Sequence, residues 1–345
     1  MVMLISQYVH INMFCGAATA ERWSPKPDNG VYFRQAICSC INRLDYGAGM
    51  SKPIRIILIV VAVSLLIIVL GGATSLFLGG RVLAERMDLP DEDLTPMSDS
   101  ATIARGEHLV TIWGCSDCHA ETLGGKVLVD AKPFAYLVAP NLTAGTGGLT
   151  ADYQITTFER AVRHGVGWDG RLLMMMPSMD YQHVTDMDIA ALFAFLKAVA
   201  PVDNDVTGRK LGPIGRIASL VAGAELFPAR GMMHANVHLR EVEPGMTAEY
   251  GGYLARLCSG CHGPDYSGIK GNGPNLTSDP ETGIGAWGLD EFQRAFQQGQ
   301  RPDGTVLDST MPWYVFGNMT EDEVEAVWMF LQSLEPKTGV ARSGG

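Results

Sequence analysis

The chain has 345 residues, enough for two domains of ordinary size, and 47% of them are hydrophobic, which is normal for a globular protein. Its 26 basic and 37 acidic residues give a formal net charge of −11, which argues against nucleic acid as a partner because phosphates would be repelled. Four of the seven cysteines belong to two short motifs, so no even set remains to build a disulfide framework.

The N-terminal segment, residues 1–49, shows no sustained periodicity and contains the other three cysteines, Cys15, Cys38 and Cys40. From Met50 the chain reads MSKPIR and then a long apolar run. A short basic segment followed by an apolar run is typical of the start of a membrane protein. We therefore expect translation to begin at Met50 and residues 1–49 not to be part of the protein.

Residues 56–80 contain no charged side chain and exceed the roughly 20 residues that span a bilayer as a helix. Lys52 and Arg55 precede the run, whereas on its far side Arg81 and Arg86 are followed by an acidic stretch at 88–93. The positive-inside rule therefore predicts that the N-terminus is cytoplasmic and that everything after the run lies outside. The run is too long for a typical signal-peptide core and is not followed by a clear cleavage site. We interpret 50–98 as a transmembrane anchor with a linker.

The rest of the chain is duplicated. Matched features recur in the same order: GEHL and GGYL, CSDCH and CSGCH, PNLT twice, FERA and FQRA, DG twice, MP twice, and TDMDIAALFAFL and TEDEVEAVWMFL. The duplication predicts a first domain at 99–200 and a second at 241–336. The connector 201–240 has no assigned role, and a tail follows at 337–345.

Each copy is predicted to be helical. ITTFERAVRHG and LDEFQRAFQQG are amphipathic and end at glycine, as helices often do. The terminal segments begin at Thr185 and Thr320, each followed three residues later by an acid, as in a capping box. No segment alternates convincingly with period two, so the sequence predicts an all-α fold.

The duplicated CxxCH motif carries the chemistry. Its two copies are Cys115, Cys118 and His119, and Cys258, Cys261 and His262. A structural zinc site needs four ligands, but the two cysteine pairs lie in different repeats. A thioredoxin-like pair needs a strand–helix setting that the helical pattern does not provide. Covalent haem attachment explains the adjacent histidine, since two thiols bond the macrocycle while the imidazole reaches the iron. We predict two covalently attached haem c groups, with His119 and His262 as axial ligands.

Methionines are predicted to occupy the opposite axial positions. Met176 and Met311 each precede a proline and lie nine residues before Thr185 and Thr320. A thioether opposite an imidazole raises the reduction potential and closes the iron to substrates, which suits electron transfer. In the first repeat Met179 is the main rival to Met176.

Two repeated prolines are predicted to support the histidines. The carbonyl groups of Pro140 and Pro274 could accept the second ring N–H of His119 and His262, which would fix tautomer and basicity. As plain loop prolines they would need no such role. The remaining histidines, including His108, are predicted to be surface or packing residues.

The motif order resembles the class I cytochrome c family in both repeats, over about residues 99–336. The whole is similar to membrane-anchored dihaem cytochromes c, including cytochrome subunits that serve periplasmic dehydrogenases. The resemblance implies two tandem all-helical class I cytochrome c domains behind one N-terminal transmembrane helix, with terminal helices crossing over a nearly buried haem. Two features of the first repeat depart from the pattern: the sequence MPSM, and nine more residues between His119 and Pro140 than in the second repeat.

These observations predict an electron-transfer protein rather than an enzyme. We expect a dihaem carrier held in the cytoplasmic (inner) membrane through 56–80, with its haem domains in the periplasm. Its donor would be a quinol-oxidising complex or a dehydrogenase, and its acceptor a soluble cytochrome or terminal oxidase. The alternative is a dihaem redox enzyme of the peroxidase or thiosulfate-oxidising type, which needs an open or exchangeable sixth position. The matched Met-Pro pairs argue against it.

Overall fold

The computed structural model describes residues 51–224, 226–234 and 241–340, so the prediction for residues 1–49 lies outside the described residues. The first part contains α1 (Lys52–Leu83), α2 (Ser100–Ile112), α3 (Cys115–His119), β1 (Lys126–Ala131), β2 (Ala135–Ala139), α4 (Ile155–His164), α5 (Ser178–Tyr181) and α6 (Asp186–Ala198). The connector and second repeat contain β3 (Arg209–Leu211), α7 (Pro213–Ala218), a 3-10 turn (Pro228–Gly231), α8 (Ala248–Ala255), a 3-10 turn (Arg256–Cys258), α9 (Ser259–His262), α10 (Leu289–Gln298), α11 (Trp313–Phe316) and α12 (Glu321–Ser333).

Helix α1 includes the whole predicted transmembrane run, 56–80, and extends beyond both of its ends. It is long and apolar enough to cross a membrane by length and composition. Its large apolar side chains from Ile56 to Leu70 are exposed. The chain divides into two compact units inside this helix, Met1–Ile68 and Val69–Gly345, and every contact described below lies within the second unit.

The first and last helices of each repeat pack against each other, α2 on α6 and α8 on α12. Glycine allows their backbones to touch. A Cβ on Gly106 would overlap the carbonyl group of Ala191, and a Cβ on Gly251 would overlap that of Ala326. The glycine that opens both GEHL and GGYL is therefore required by this close approach.

The predicted helix caps are present, with one difference between the repeats. Thr320 and Glu323 form a complete capping box at the start of α12. At α6 the Thr185 hydroxyl accepts the N–H of Asp188 at 3.2 Å, but the Asp188 carboxylate bonds to Arg105 instead of completing the box. The amphipathic helices α4 and α10 each end at a glycine in the left-handed conformation, as predicted.

The prediction of an all-α fold is wrong in one place: the fold is mostly helical but includes a three-stranded antiparallel sheet, ordered β1-β2-β3. The first two strands form a hairpin in the longer loop between His119 and Pro140 of the first repeat. The third strand comes from the connector and pairs Leu211 with Ala135. Strand β2 alternates over only five residues, and β1 has no buried residue, so neither carries a clear period-two pattern.

The segments on either side of the first repeat pack against it. From the connector, the Asn204 side chain donates to the carbonyl groups of Gly124 and Gly125 at 2.9 and 3.0 Å. From the linker, Glu92 pairs with the buried guanidinium of Arg163 at 2.9 Å. Part of the connector, which had no assigned role, thus completes the sheet and covers the loop after the first CxxCH motif.

One hydrophobic core cluster contains residues from both repeats. Leu109 and Ile189 lie in its first half, and Leu254 and Val327 in its second, all at most 1% exposed. Aromatic rings connect the halves: the ring centroids of Trp113 and Tyr253 are 6.2 Å apart. The repeats are therefore joined by a shared apolar interface.

Candidate functional site

The two CxxCH motifs form matching short helices. Helix α3 is the first motif itself, and in the second a 3-10 turn ends at Cys258 before α9 continues. Cysteines three residues apart lie on the same side of a helix, so both thiols of a pair face the same way. In each copy the histidine is the last helical residue and is buried, whereas the second cysteine is exposed.

The predicted hydrogen bonds from the histidines to the repeated prolines are present. His119 Nδ1 lies 2.8 Å from the carbonyl oxygen of Pro140, and His262 Nδ1 lies 2.7 Å from that of Pro274. A carbonyl oxygen can only accept, so Nδ1 carries the proton in both rings. The Nε2 lone pair of each neutral ring is then available to a metal.

Burial favours the neutral form of both rings. It lowers the pKa of His119 and of His262, and the hydrogen bond to the proline carbonyl opposes this only in part. An imidazole binds iron through an unprotonated nitrogen, so the environment keeps both side chains ready to act as ligands without prior loss of a proton.

The zinc alternative finds no support in the described part of the chain. There, no cluster of three metal-binding side chains includes a CxxCH cysteine, and the four cysteines form no disulfide. Among the described residues, Glu92, Glu159 and His164 do form a cluster of this kind. The guanidinium of Arg163 lies 2.9 Å from Glu92 and 3.7 Å from Glu159. Arg163 therefore already supplies the positive charge that a metal ion would bring to these carboxylates.

The two Met-Pro pairs lie in equivalent turns. Pro177 has φ −79° and ψ 52°, and Pro312 has φ −78° and ψ 55°. The residue after each proline donates its N–H to the methionine carbonyl, at 2.8 Å for Met176 and 2.7 Å for Met311. Both methionine side chains are partly buried against the core cluster. The alignment of Met176 with Met311 in the sequence repeat thus corresponds to the same local backbone conformation in both repeats.

The rival methionine of the first repeat lies in a different environment. Met179 is 47% exposed, and its sulfur lies beside Gly231 in the 3-10 turn of the connector. Met176 contacts the core shared by the repeats, as its counterpart does in the second repeat. Of the two methionines, Met176 is therefore the one that packs against the core cluster as Met311 does.

Asparagines of the two PNLT segments hold the chain near the histidines, a role that sequence reasoning missed. Asn141 donates to the carbonyl oxygen of Val202 at 2.7 Å, and Asn275 donates to that of Lys337 at 2.6 Å. Both side chains are buried. Each ties the proline loop to the segment that follows the terminal helix of its own repeat, and the repetition of PNLT was the available signal.

Each CxxCH helix faces the helix that follows the Met-Pro turn of the other repeat. The Tyr314 hydroxyl donates to Asp117 at 3.2 Å. In the opposite direction, the Asp180 carboxylate of α5 lies against Gly260 of α9. Burial raises the pKa of Asp180 to about 6. Both candidate attachment helices therefore lie at the interface between the repeats.

A polar network connects the repeats on the same interface. Its members are Arg105, His108 and Asp188 of the first repeat, and Tyr250, Tyr253 and Glu323 of the second. Tyr253 donates to Asp188 at 2.6 Å, and His108 lies 2.8 Å from Glu323. These two contacts join equivalent positions of the repeats. His108 was predicted to be a surface or packing residue, and no sequence pattern indicated this network.

Two sequence profiles match the chain, one in each repeat. The profile described as "Cytochrome C oxidase, cbb3-type, subunit III" matches residues 101–196, and the profile described as "Cytochrome c" matches residues 250–335. Together they cover both CxxCH helices and both Met-Pro turns.

Curated relatives include cytochrome subunits of dehydrogenases. The cytochrome c subunit of gluconate 2-dehydrogenase from Pantoea cypripedii is 28% identical over 70% of this chain and 61% of that protein. The cytochrome c subunit of alcohol dehydrogenase (quinone) from Gluconacetobacter polyoxogenes is 25% identical over 70% and 58%. The fructose dehydrogenase cytochrome subunit from Gluconobacter japonicus is 25% identical over 72% and 56%. The chain thus matches a little under two thirds of the length of these relatives.

Proposed function

The chain carries two cytochrome c domains and is homologous to the cytochrome c subunits of dehydrogenases, and from this premise we propose a membrane-anchored, periplasmic dihaem electron carrier. The two haem domains would be 99–200 and 241–336. Each haem would have its own set of ligands, and both haems would be carried by one chain.

The residues of each repeat fit a covalently bound haem c. The residues that would hold it are Cys115, Cys118, His119 and Met176 in the first repeat, and Cys258, Cys261, His262 and Met311 in the second. When bound, the group supplies one-electron oxidation and reduction at its iron. The fit is supported by paired thiols on one helical side and by buried, neutral imidazoles whose Nδ1 atoms are held by proline carbonyl groups.

The observation that carries the proposal is the duplicated Met-Pro turn. A dihaem enzyme needs at least one iron with an open or exchangeable position, whereas a carrier needs both positions filled. The backbone of the two turns is nearly identical, and both methionines contact the core. The same ligand pair in both repeats supports two closed, low-spin sites.

The shared interface supports electron exchange between the repeats. Each CxxCH helix contacts the other repeat, and one core cluster spans both. The chain would thus act as a two-step relay, with one electron-transfer site in each repeat.

Helix α1 supports the membrane anchor. The basic residues Lys52 and Arg55 lie in its first turn, and beyond Arg81 and Arg86 at its other end comes the acidic segment 88–93, so the repeats would face the periplasm. Haem c attachment outside the cytoplasmic membrane agrees with this orientation. The anchor keeps the carrier beside other components of the same membrane.

A dehydrogenase is the donor that the relatives favour, because each of the three is named as the cytochrome subunit of one. The carrier would take single electrons from the catalytic subunit of a dehydrogenase complex and pass them to a soluble cytochrome or a terminal oxidase. A quinol-oxidising complex is the alternative donor.

Replacing the axial methionines tests the proposal. With both positions filled, the reduced wild type should bind almost no carbon monoxide. Met311→Ala and Met176→Ala should each create a form that binds about one carbon monoxide per chain, because loss of the thioether opens one iron. The visible spectrum of the other haem should stay unchanged, and mass spectrometry should still find two haems.

Met179→Ala is the matched control, since this methionine belongs to the same segment. It should leave carbon monoxide binding at the wild-type level. If Met179→Ala opens the first site and Met176→Ala does not, the ligand assignment in the first repeat is wrong. Stoichiometric carbon monoxide binding and peroxide turnover by the wild type would support a dihaem enzyme instead.

A further inference from the structure

A short helix of the connector lies directly against the C-terminal end of α1. Gly79 of α1 is buried, and a Cβ there would overlap the backbone carbonyl group of Arg216 in α7. The Arg216 guanidinium extends along the neighbouring Gly80. Helix α7 is thus fixed by backbone contact within a few residues of the end of α1 at Leu83.

Another side of α7 packs against the turn between β1 and β2 of the first repeat. A Cβ on Gly215 would overlap the carbonyl group of Phe134, and a Cβ on Gly212 would overlap that of Pro133. Ser219, one turn after Gly215, is fully buried. The helix therefore has a defined orientation, with the face of Gly215 and Ser219 turned inward.

The outward face is apolar. Ile214 is 54% exposed, Ile217 is 45%, Leu220 is 37% and Val221 is 89%. Ile214 and Ile217 share one face of α7, turned away from the buried Gly215, and Leu220 and Val221 lie in the turn that follows the helix. Four large apolar side chains grouped together are unusual on a surface that meets only water.

The segment that carries this face is positively charged in an otherwise acidic chain. Residues 206–224 contain three basic residues and no acidic one, although the whole chain carries a net −11. Lys210 and Arg216 are exposed, and Arg81 lies exposed in the last turn of α1. Basic residues beside an apolar face are typical of segments that lie in a membrane interface with anionic lipids.

We propose that the face formed by Ile214, Ile217, Leu220 and Val221 is a second membrane contact, inserted in the interfacial region of the outer leaflet beside the end of α1. Lys210 and Arg216 would then lie at the level of anionic lipid headgroups. The proposal rests on the membrane anchor of the proposed function. The partner of this face would be the lipid bilayer, because the face lies beside the C-terminal end of α1, where that helix would leave the membrane. The contact holds the first repeat against the membrane.

Nitroxide accessibility in the full holoprotein tests the contact. If residues 1–49 are retained in the expressed chain, Cys15, Cys38 and Cys40 are replaced by serine. A nitroxide is attached to Val221→Cys, to Phe77→Cys in α1, or to Val306→Cys. Val306 is 68% exposed in the second repeat and serves as the aqueous control. The proteins are reconstituted in phosphatidylethanolamine–phosphatidylglycerol vesicles, and collisions with oxygen and with a water-soluble nickel chelate are measured.

At position 221 the oxygen-to-nickel ratio should exceed that at position 306 severalfold, because oxygen concentrates in the bilayer and the chelate is excluded. Adding Ile217→Asp should reduce the ratio at 221 to the value at 306, with both haems retained in the visible spectrum. A ratio at 221 equal to that at 306, with a high ratio at 77, overturns the second contact and leaves the anchor. A low ratio at 77 overturns the anchor itself. Shielding of 221 from both reagents would place a second copy of the chain on this face and also overturn the proposal.

Discussion

The residue directly after each candidate histidine ligand adopts a positive φ. Ala120 has φ 69° and ψ 160°, and Gly263 has φ 85° and ψ 156°. Glycine adopts this conformation freely, whereas a residue with a Cβ is strained there by about 1–3 kcal/mol. We expect Ala120→Gly to raise the free energy of unfolding by about 1 kcal/mol, after the more flexible unfolded chain offsets part of the gain. Denaturant titration of the holoprotein, followed by circular dichroism, measures the change.

The reverse change in the second repeat is the control. Gly263→Ala should lower the free energy of unfolding by about 1–2 kcal/mol. A Cβ at this position would meet the nearest atom, Asp265 Oδ1, at 3.6 Å, which is ordinary contact. The loss therefore reports backbone strain and not a clash. Equal stability of both variants and the wild type would contradict the strain.

For individual residues, the sequence is informative where the chemistry of a site requires particular residue types at a constant spacing. The two CxxCH motifs and the repeated prolines allowed the hydrogen bonds of His119 and His262 to be predicted, and they are present. The roles of Asn141 and Asn275 could not be predicted, because their partner carbonyl groups lie 61 and 62 positions further along the chain. Only folding brings these groups together.

At the scale of helices, the contact between α5 and α9 explains why the two CxxCH motifs differ at their central positions. The first motif has Asp117, which reaches Tyr314, whereas the second has Gly260, where the Asp180 carboxylate lies 2.6 Å from the position of a Cβ. Gly260→Asp would displace Asp180 and place a second carboxylate beside it. We expect the free energy of unfolding to fall by about 1–2 kcal/mol, measured by denaturant titration at pH 7.

Two further variants separate the causes. Asp117→Ala should change stability by no more than about 0.5 kcal/mol, because its bond to Tyr314 is exposed. Asp180→Asn in the Gly260→Asp background should recover part of the loss, since it removes the like charge. Full stability of Gly260→Asp alone would show that α5 and α9 do not press together as described.

The helices of both repeats could be predicted because their apolar spacing, caps and terminal glycines are local. The sheet could not. Strand β3 has three residues and begins in the connector, 70 positions after the end of β2, so no local sequence pattern indicates the pairing. The exposed strand β1 lacks the alternation that burial on one face produces.

Equivalent residues of the two repeats make reciprocal contacts across the interface. Asp188 and Glu323 are the third residues after the capping threonines, and each accepts from the first helix of the other repeat, through Tyr253 and His108. A buried carboxylate with several donors specifies one arrangement of its partners, because any other leaves a charge unpaired. The network therefore fixes how the two candidate haem sites are oriented within the shared interface.

The pH dependence of stability should reveal this network through Glu323. Burial on its own would raise the pKa of Glu323, but the hydrogen bonds from His108, the Thr320 N–H and Tyr250 outweigh it and hold this pKa below its ordinary value. A carboxyl group with a depressed pKa stabilises the fold above its unfolded pKa of about 4.5, and the contribution is lost as pH falls through the folded value. Glu323→Gln should therefore lower the free energy of unfolding by about 1–3 kcal/mol at pH 7.

The difference between Glu323→Gln and the wild type should shrink as denaturant titrations are repeated at lower pH, beginning below about pH 4.5. Glu321→Gln is the matched control, because this exposed acid lies in the same first turn of α12. It should change stability by no more than about 0.5 kcal/mol at any pH. A loss for Glu323→Gln that stays constant from pH 7 to pH 3.5 would mean that lost packing, and not the ionised carboxylate, accounts for the effect. No loss at all would mean that the network does not hold the repeats together, and the orientation of the two candidate sites would then depend on the other contacts between the repeats, such as that of Trp113 with Tyr253.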